Sequence, residues 1–182
     1  MGMKLIFVRH GQTDFNKNKL PQGQEIDAPL NETGIRQAEE AAKFIPAEID
    51  FIIASPMKRA AQTAEILNRV LNKRIEFRDD VKELRYGDLA GKPWPQIAEI
   101  LNDADAKEKD DAIAFDYSMH GGDSAESFKA RVAAFAKEMQ DTYPDKTILV
   151  AAHGGVIDAM HILFPQEEKA TTDNASVHEF TF

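Results

Sequence analysis

The strongest constraint on this chain is a pattern that occurs twice: an apolar run that stops abruptly at histidine and glycine. Leu5-Ile6-Phe7-Val8 leads straight into Arg9-His10-Gly11, and Thr147-Ile148-Leu149-Val150-Ala151-Ala152 leads into His153-Gly154-Gly155. Runs without polar alternation read as strands buried on both faces, which belong at the centre of an α/β sheet. A shorter run, Asp50-Phe51-Ile52-Ile53-Ala54, ends in Ser55-Pro56 with Lys58 and Arg59 just beyond. Ligands bind in open α/β sheets beyond the carboxyl ends of the strands. The pattern therefore brings Arg9, His10, the Ser55–Arg59 segment and His153 to one edge.

The segments between these strands read mainly as helices. Asn31 is a good N-cap for a helix that carries Ile35, Ala38, Ala42 and Ile45 on one stripe and stops at Pro46. Ser55 followed by proline predicts a second helix to Leu71, with Met57, Ala60, Ala64, Leu67 and Leu71 facing inward. Cations in its opening turn, Lys58 and Arg59, oppose the helix dipole and so invite a functional reading. Ile75-Glu76-Phe77 predicts a short edge strand, Val81 to Gly91 an extended loop, and Trp94 to Leu101 a helix. Asp123 with Glu126 predicts a capped start to the longest helix, whose core stripe is Phe128, Val132, Phe135 and Met139. A helix from Val156 to Phe164 and a closing strand from Ser176 to Phe182 complete the chain, while Thr13 to Pro29 reads as a long loop. This alternation predicts one α/β domain over residues 1–182, a mostly parallel sheet with helices on both faces.

Composition narrows the function. The 182 residues include 22 basic and 31 acidic side chains, a net charge of −9, which argues against a nucleic-acid partner. An anionic ligand would meet a repulsive overall field, so any anion site must be a local cluster of positive groups. There is no cysteine, so thiolate chemistry is excluded and a cytoplasmic home is expected. No stretch approaches the ~18 apolar residues of a membrane span. The first strand follows so closely on Met1-Gly2-Met3-Lys4 that no signal peptide is expected.

Paired histidines raise metal binding first. His10 and His153 are far apart in sequence, lack a second ligand at helical spacing, and stand beside arginines that repel cations. No metal is therefore expected. An imidazole among guanidinium groups suits phosphoryl chemistry better, because arginine binds phosphoryl oxygens in bidentate fashion and stabilises their charge. His120, His161 and His178 read as structural.

These residues resemble the histidine phosphatase superfamily, which includes the cofactor-dependent phosphoglycerate mutases. The likeness is carried by Arg9-His10-Gly11-Gln12-Thr13 with Asn16, Gln22-Gly23 and Pro29-Leu30. It continues through Leu30-Asn31, Gly34 and Gln37-Ala38, then Ser55-Pro56, Arg59-Ala60 and Gln62-Thr63-Ala64. Glu83, Tyr86-Gly87 and Gly91 are similar to the family's acid loop, and His153-Gly154-Gly155 and Asn174-Ala175-Ser176-Val177 to its closing motifs.

The resemblance implies a three-layer α/β/α, phosphoglycerate mutase-like fold and a phosphatase needing no metal or organic cofactor. His10 would be the nucleophile that forms a phosphohistidine, kept neutral by a partner on its other nitrogen, for which a backbone carbonyl is expected. Arg9, Arg59 and a charged His153 would clamp the phosphoryl oxygens, with Gly154 beside them. Asn16 would add a donor, while Gln22, Gly23 and Tyr86 border the leaving group. Glu83 would protonate the departing oxygen and then deprotonate water. Leu20, Ala90, Asp158 and Gly122-Asp123-Ser124 depart from the family pattern without removing a catalytic group. Where the mutases carry a longer insertion after the acid loop, with basic residues, this chain is short and acidic over 102–111, which favours a phosphatase acting on a small phosphorylated metabolite. A mutase-type phosphotransferase and a phospho-ligand-binding regulatory protein without turnover are the alternatives.

Overall fold

The computed structural model describes residues 2–102, 113–165 and 171–182. Strands β1 (Lys4–Arg9), β2 (Phe51–Ala54), β3 (Ile75–Phe77), β4 (Thr147–Ala152) and β5 (Val177–Thr181) form one sheet in the order β3-β2-β4-β1-β5. All neighbours are parallel except β5, which runs antiparallel to β1 at the edge. The two runs that end in histidine thus lie side by side in the centre, as their unbroken apolar character requires.

Alternation along each strand divides the core between two faces. Leu5, Phe7, Phe51, Ile53, Ile148 and Val150 face helices α5 (Ala125–Thr142) and α6 (Gly154–Leu163), packing on Phe128, Phe135 and Ile157. Ile6, Val8, Ile52, Ala54, Leu149 and Ala151 face α2 (Glu32–Ala41) and α3 (Lys58–Leu71), packing on Ala41, Ala64 and Leu67. Helix α4 (Trp94–Leu101) has the bounds its sequence predicts and adds Trp94 and Ile97 to the first of these layers. Every fully buried large side chain here contributes about 1.5–3 kcal/mol. The result is the expected sheet between two helical layers. Among the described residues, no helix is long and apolar enough to cross a membrane.

Several local expectations are corrected. The predicted long loop after Gly11 contains a four-residue helix, α1 (Asp14–Lys17), started by a capping box between Thr13 and Asn16. Four residues are too few to show periodicity. Helix α3 starts at Lys58 with Met57 as its N-cap, so Ser55 does not cap it. The cap of α5 is Ser124, which accepts from the Ser127 N–H at 3.1 Å, while Asp123 accepts from the Arg85 N–H at 3.0 Å. Helix α6 begins at Gly154 instead of Val156, because both glycines adopt helical backbone. Ile35 sits on the predicted apolar stripe but is exposed. The acidic segment 102–111 falls, apart from Asn102, outside the described residues.

Gly34 shows why helix α2 tolerates glycine in its first turn. A Cβ there would come 2.1 Å from the Gln12 carbonyl oxygen, and a Cβ on Gly11 would come 2.3 Å from the Gly34 oxygen. Only two glycines allow this approach, which seats the His10 loop on α2. Gly34→Ala is expected to lower stability by about 1–3 kcal/mol, read as a lower urea midpoint. A stability equal to the parent's would mean the loop seats in another way.

His178 on β5 and His161 on α6 face each other, with Nδ1 of His178 2.9 Å from Nε2 of His161. Burial, then the neighbouring His161, lowers the His178 pKa to about 4. The unfolded chain takes up a proton near the ordinary value of about 6.5 that the native chain does not. This contribution to stability is full above that value and is lost as pH falls towards about 4. The urea midpoint should therefore fall between pH 7 and pH 5, and fall less in His178→Gln.

Candidate active site

Register brings the strand ends level. Arg9 pairs with Ala152, and Ala54 with Ala151, so His10, His153 and Ser55 leave the sheet side by side. The His10 N–H donates to the Ala152 carbonyl at 2.9 Å, and the Ser55 N–H to the Ala151 carbonyl at 3.0 Å. The sheet ladder therefore continues one residue into the site.

His10 is buried, and its Nδ1 lies 2.7 Å from the Gly11 carbonyl oxygen. A carbonyl can only accept, so Nδ1 carries the proton and Nε2 keeps its lone pair. The expected backbone-carbonyl partner is thus supplied by the next residue. The Gly11 N–H in turn donates to Oγ1 of Thr63 at 3.1 Å, so α3 fixes the loop that fixes the imidazole.

Arg9 and Arg59 are buried and held by carbonyls. Arg9 donates to Thr172, and Arg59 to Gly23 at 2.7 Å and to Ile26 at 3.0 Å. The Nε atoms of both are buried without a partner among the described residues. Burial lowers the pKa of both guanidiniums against the opposing pull of Glu83, that of Arg59 to about 10, and a guanidinium keeps its proton in proteins at neutral pH. Two buried cations with donors to spare make a site that an anion completes.

His153 lies behind His10, with ring centroids 5.3 Å apart. Its Nε2 is 2.8 Å from Oγ of Ser55, and its Nδ1 is buried without a partner. Burial first, then Arg59, His10 and Arg9, push its pKa well below the ordinary value. Each of these causes favours the neutral ring in the free protein.

Glu83 approaches from the loop before α4. Its carboxylate accepts from the N–H of Leu84 at 2.9 Å and of Gly155 at 3.3 Å, in the first turn of α6. A Cβ at Gly155 would come 2.4 Å from Glu83 Oε1, so glycine is what lets the carboxylate approach. The Glu83 carbonyl is held by Gln24 at 2.8 Å and by Arg131 at 3.1 Å, and Arg131 also holds the Asp80 and Lys82 carbonyls.

Arg9, His10, Asn16, Gln22, Gly23, Arg59, Glu83 and Tyr86 all line one open cleft, together with Lys19, Leu20, Pro21 and Trp94. Its non-atom space is about 420 Å³, which includes its mouth. Asn16 has its Oδ1 occupied by Thr13 and Asn174, leaving its NH2 group as the donor. Tyr86 is wedged between Trp94 and Tyr117, with centroids 5.9 and 5.0 Å away, and burial raises its pKa. His153 and Gly154 do not line the cleft; Gly154 lies behind Arg9, 3.4 Å from its Nε by an added Cβ. Sequence reasoning missed Ser55 as the partner of His153, and also Gln24, Arg131 and Thr172. Each acts through hydrogen bonds to residues distant in sequence, which no local pattern announces. Among the described residues, no three His, Asp or Glu gather as metal ligands.

Fold and site together define an α/β protein with a cationic cleft centred on histidine at the carboxyl edge of its sheet. A family model for the histidine phosphatase superfamily (branch 1) matches residues 5–182, and the chain belongs to that superfamily. It is 36% identical over 157 residues to the uncharacterized phosphatase PhoE of Bacillus subtilis, covering 86% of this chain and 74% of that one. It is 30% identical over 166 residues to glucosyl-3-phosphoglycerate phosphatase of Mycobacterium tuberculosis, covering 86% and 73%. A solved mycobacterial glucosyl-3-phosphoglycerate phosphatase in complex with VO3 superposes with a TM-score of 0.77 at 29% identity, over 97% of this chain and 91% of that one. Phosphoglycerate mutase from Bacillus anthracis superposes with a TM-score of 0.83 at 23% identity, over 99% and 88%, which shows the shared fold. The expected class, a phosphoric monoester hydrolase, is the class of these named phosphatases.

Ser55→Ala removes the partner of a buried ring nitrogen. It is expected to cost about 1–3 kcal/mol of stability and to weaken phosphate binding, measured by chemical unfolding and by calorimetry. Unchanged values in both would mean that Ser55 does not position His153.

Proposed function

We propose that the protein hydrolyses a small-molecule phosphomonoester through a phosphohistidine on His10. The observation that carries this reading is the pair of buried guanidiniums, without a carboxylate ion pair among the described residues, beside an imidazole whose Nδ1 proton is fixed. Arg9, Arg59 and the NH2 of Asn16 supply donors for the phosphoryl oxygens. The Nε2 lone pair of His10 attacks phosphorus, the P–O bond to the leaving group breaks, and Glu83 gives that oxygen its proton. Glu83 then takes a proton from water as the water oxygen displaces Nε2, releasing phosphate and restoring both residues. Backbone N–H groups on the Glu83 carboxylate hold it in place through both half-reactions. A named relative has been solved in complex with VO3, a phosphate-like anion, and an anion-binding role here is consistent with that.

His153 stands in the second rank. Neutral in the free protein, it gains a proton more readily once a phosphoryl dianion offsets Arg9 and Arg59, and the protonated ring then joins the clamp. Gln22, Gly23 and Tyr86 border the leaving group.

The test is initial-rate release of inorganic phosphate from a panel of phosphomonoesters in EDTA. Turnover should persist in EDTA, vanish in His10→Ala, and fall about 10²–10⁴-fold in kcat for Glu83→Gln. Acid-labile, alkali-stable phosphate should be trapped on the parent and not on His10→Ala. Turnover by His10→Ala at the parent's rate would overturn the reading.

A further inference from the structure

Lys19 combines two features that are rarely found together. It lines the mouth of the cleft, and its backbone is left-handed, with φ +55°. The cause lies in how α1 ends. The Leu20 N–H donates to the Phe15 carbonyl at 2.9 Å and the Lys19 N–H to the Asn16 carbonyl at 3.0 Å, with Asn18 as the C-cap. This pair of bonds is a Schellman ending, and the residue at the position of Lys19 is usually glycine, because a Cβ strains the left-handed conformation. The chain keeps a lysine where glycine would relieve strain. Strain at the rim of a site is a reason to ask what the side chain does there.

The cleft gives the answer in charge. Its lining holds Arg9, Arg59, Lys19 and Glu83 as charged side chains. The two arginines are buried and tied to carbonyls at the floor, whereas Lys19 is exposed and forms no ion pair among the described residues. Asn16 and Lys19 come from the same short helix and its exit turn, so the amide donor and the cation at the rim are set by one capped element. In a chain of net charge −9 an exposed cation at the rim, without an ion pair among the described residues, gives the cleft mouth a local attraction for an anion.

We propose that Lys19 is a specificity-determining residue: it selects phosphomonoesters whose leaving group carries a second anionic group, a carboxylate or a further phosphate. This rests on the reading that the floor of the cleft takes a phosphoryl group. The ammonium of Lys19 would receive the second anion as a point charge, without the fixed geometry that an arginine imposes.

The test measures binding and not turnover, so it can fail independently of the hydrolase reading. Calorimetry on His10→Ala, with and without Lys19→Gln, would compare three ligands on one three-carbon stem: 3-hydroxypropyl phosphate, 3-(phosphonooxy)propanoate and propane-1,3-diyl bisphosphate. The expected result is at least a 10-fold preference for a ligand with a second anion, cut about 10-fold or more by Lys19→Gln, restored by Lys19→Arg and weakened by salt. Which of the two doubly anionic ligands binds more tightly distinguishes carboxylate from phosphate. Lys19→Gly, in the otherwise unaltered protein, should leave Tm unchanged or raise it by up to about 3 °C. The same preference with and without Lys19, or equal affinity for all three ligands, would overturn the proposal. A protein that binds as expected but hydrolyses none of the three would overturn the phosphatase reading and leave that of Lys19 standing.

Discussion

Two guanidiniums buried under the ends of the central strands set the terms for the rest of this structure. A charge taken out of water without an opposite charge costs several kcal/mol, even after relaxation. Arg9 and Arg59 are held instead by three backbone carbonyls, those of Thr172, Gly23 and Ile26. Those carbonyls lie on two loops, and both loops are pinned elsewhere. Asp158 on α6 accepts from the Thr172 hydroxyl at 2.6 Å, and the Lys58 N–H donates to Asp27 at 2.7 Å. The Nε atoms remain without partners. A fold optimised for stability alone would have filled this place with apolar side chains. What remains is a native state held below its attainable stability at one point, as sites that await a ligand often are.

The helices serve this edge as much as they serve the core. Gln37 on α2 accepts from the Gln12 N–H at 2.9 Å, Gln62 on α3 from the Leu30 N–H at 2.8 Å, and Thr63 from Gly11. Each brace takes a loop N–H that would otherwise face the protein interior unpaired, and each loses its use if the helix slides by one turn. Loop order and helix docking are thus one constraint. It also explains why polar residues of the recognised motifs sit on the inner side of helices whose stripes are otherwise apolar.

How much of this could be read beforehand depended on the length scale of the signal. Strand β4 and helix α4 have the bounds their sequences predict, because each is long enough for its burial pattern to outweigh local preferences. The convergence of Arg9, His10, Arg59 and Glu83 followed from parallel strands ending at one edge, together with family likeness for the acid loop. Ser55, Asp123 and the start of α6 went the other way, and for one reason. A side chain that suits a helix cap or a turn is also a good partner for something distant, and tertiary structure chose the distant partner. Ser55 left its helix to meet His153; Asp123 left its cap to hold Arg85. Helix α1 was invisible because its stabilising element is a capping box and not a stripe.

The charge state of His153 joins these threads. Its burial and its neighbours Arg59, His10 and Arg9 all act against a proton on the free ring. Every one of those neighbours becomes less repulsive when a dianion arrives between them, so the ligand that the guanidiniums lack is also the one that would let His153 become an additional donor. Ser55 matters here because a hydroxyl can accept from a protonated ring as well as donate to a neutral one, so Nε2 keeps its partner at 2.8 Å in either state. The ring can change its charge without leaving a buried nitrogen orphaned on that side, while Nδ1 is buried without a partner among the described residues. Under the proposed mechanism a dianion and a proton on His153 would bind together, each favouring the other at the strand ends.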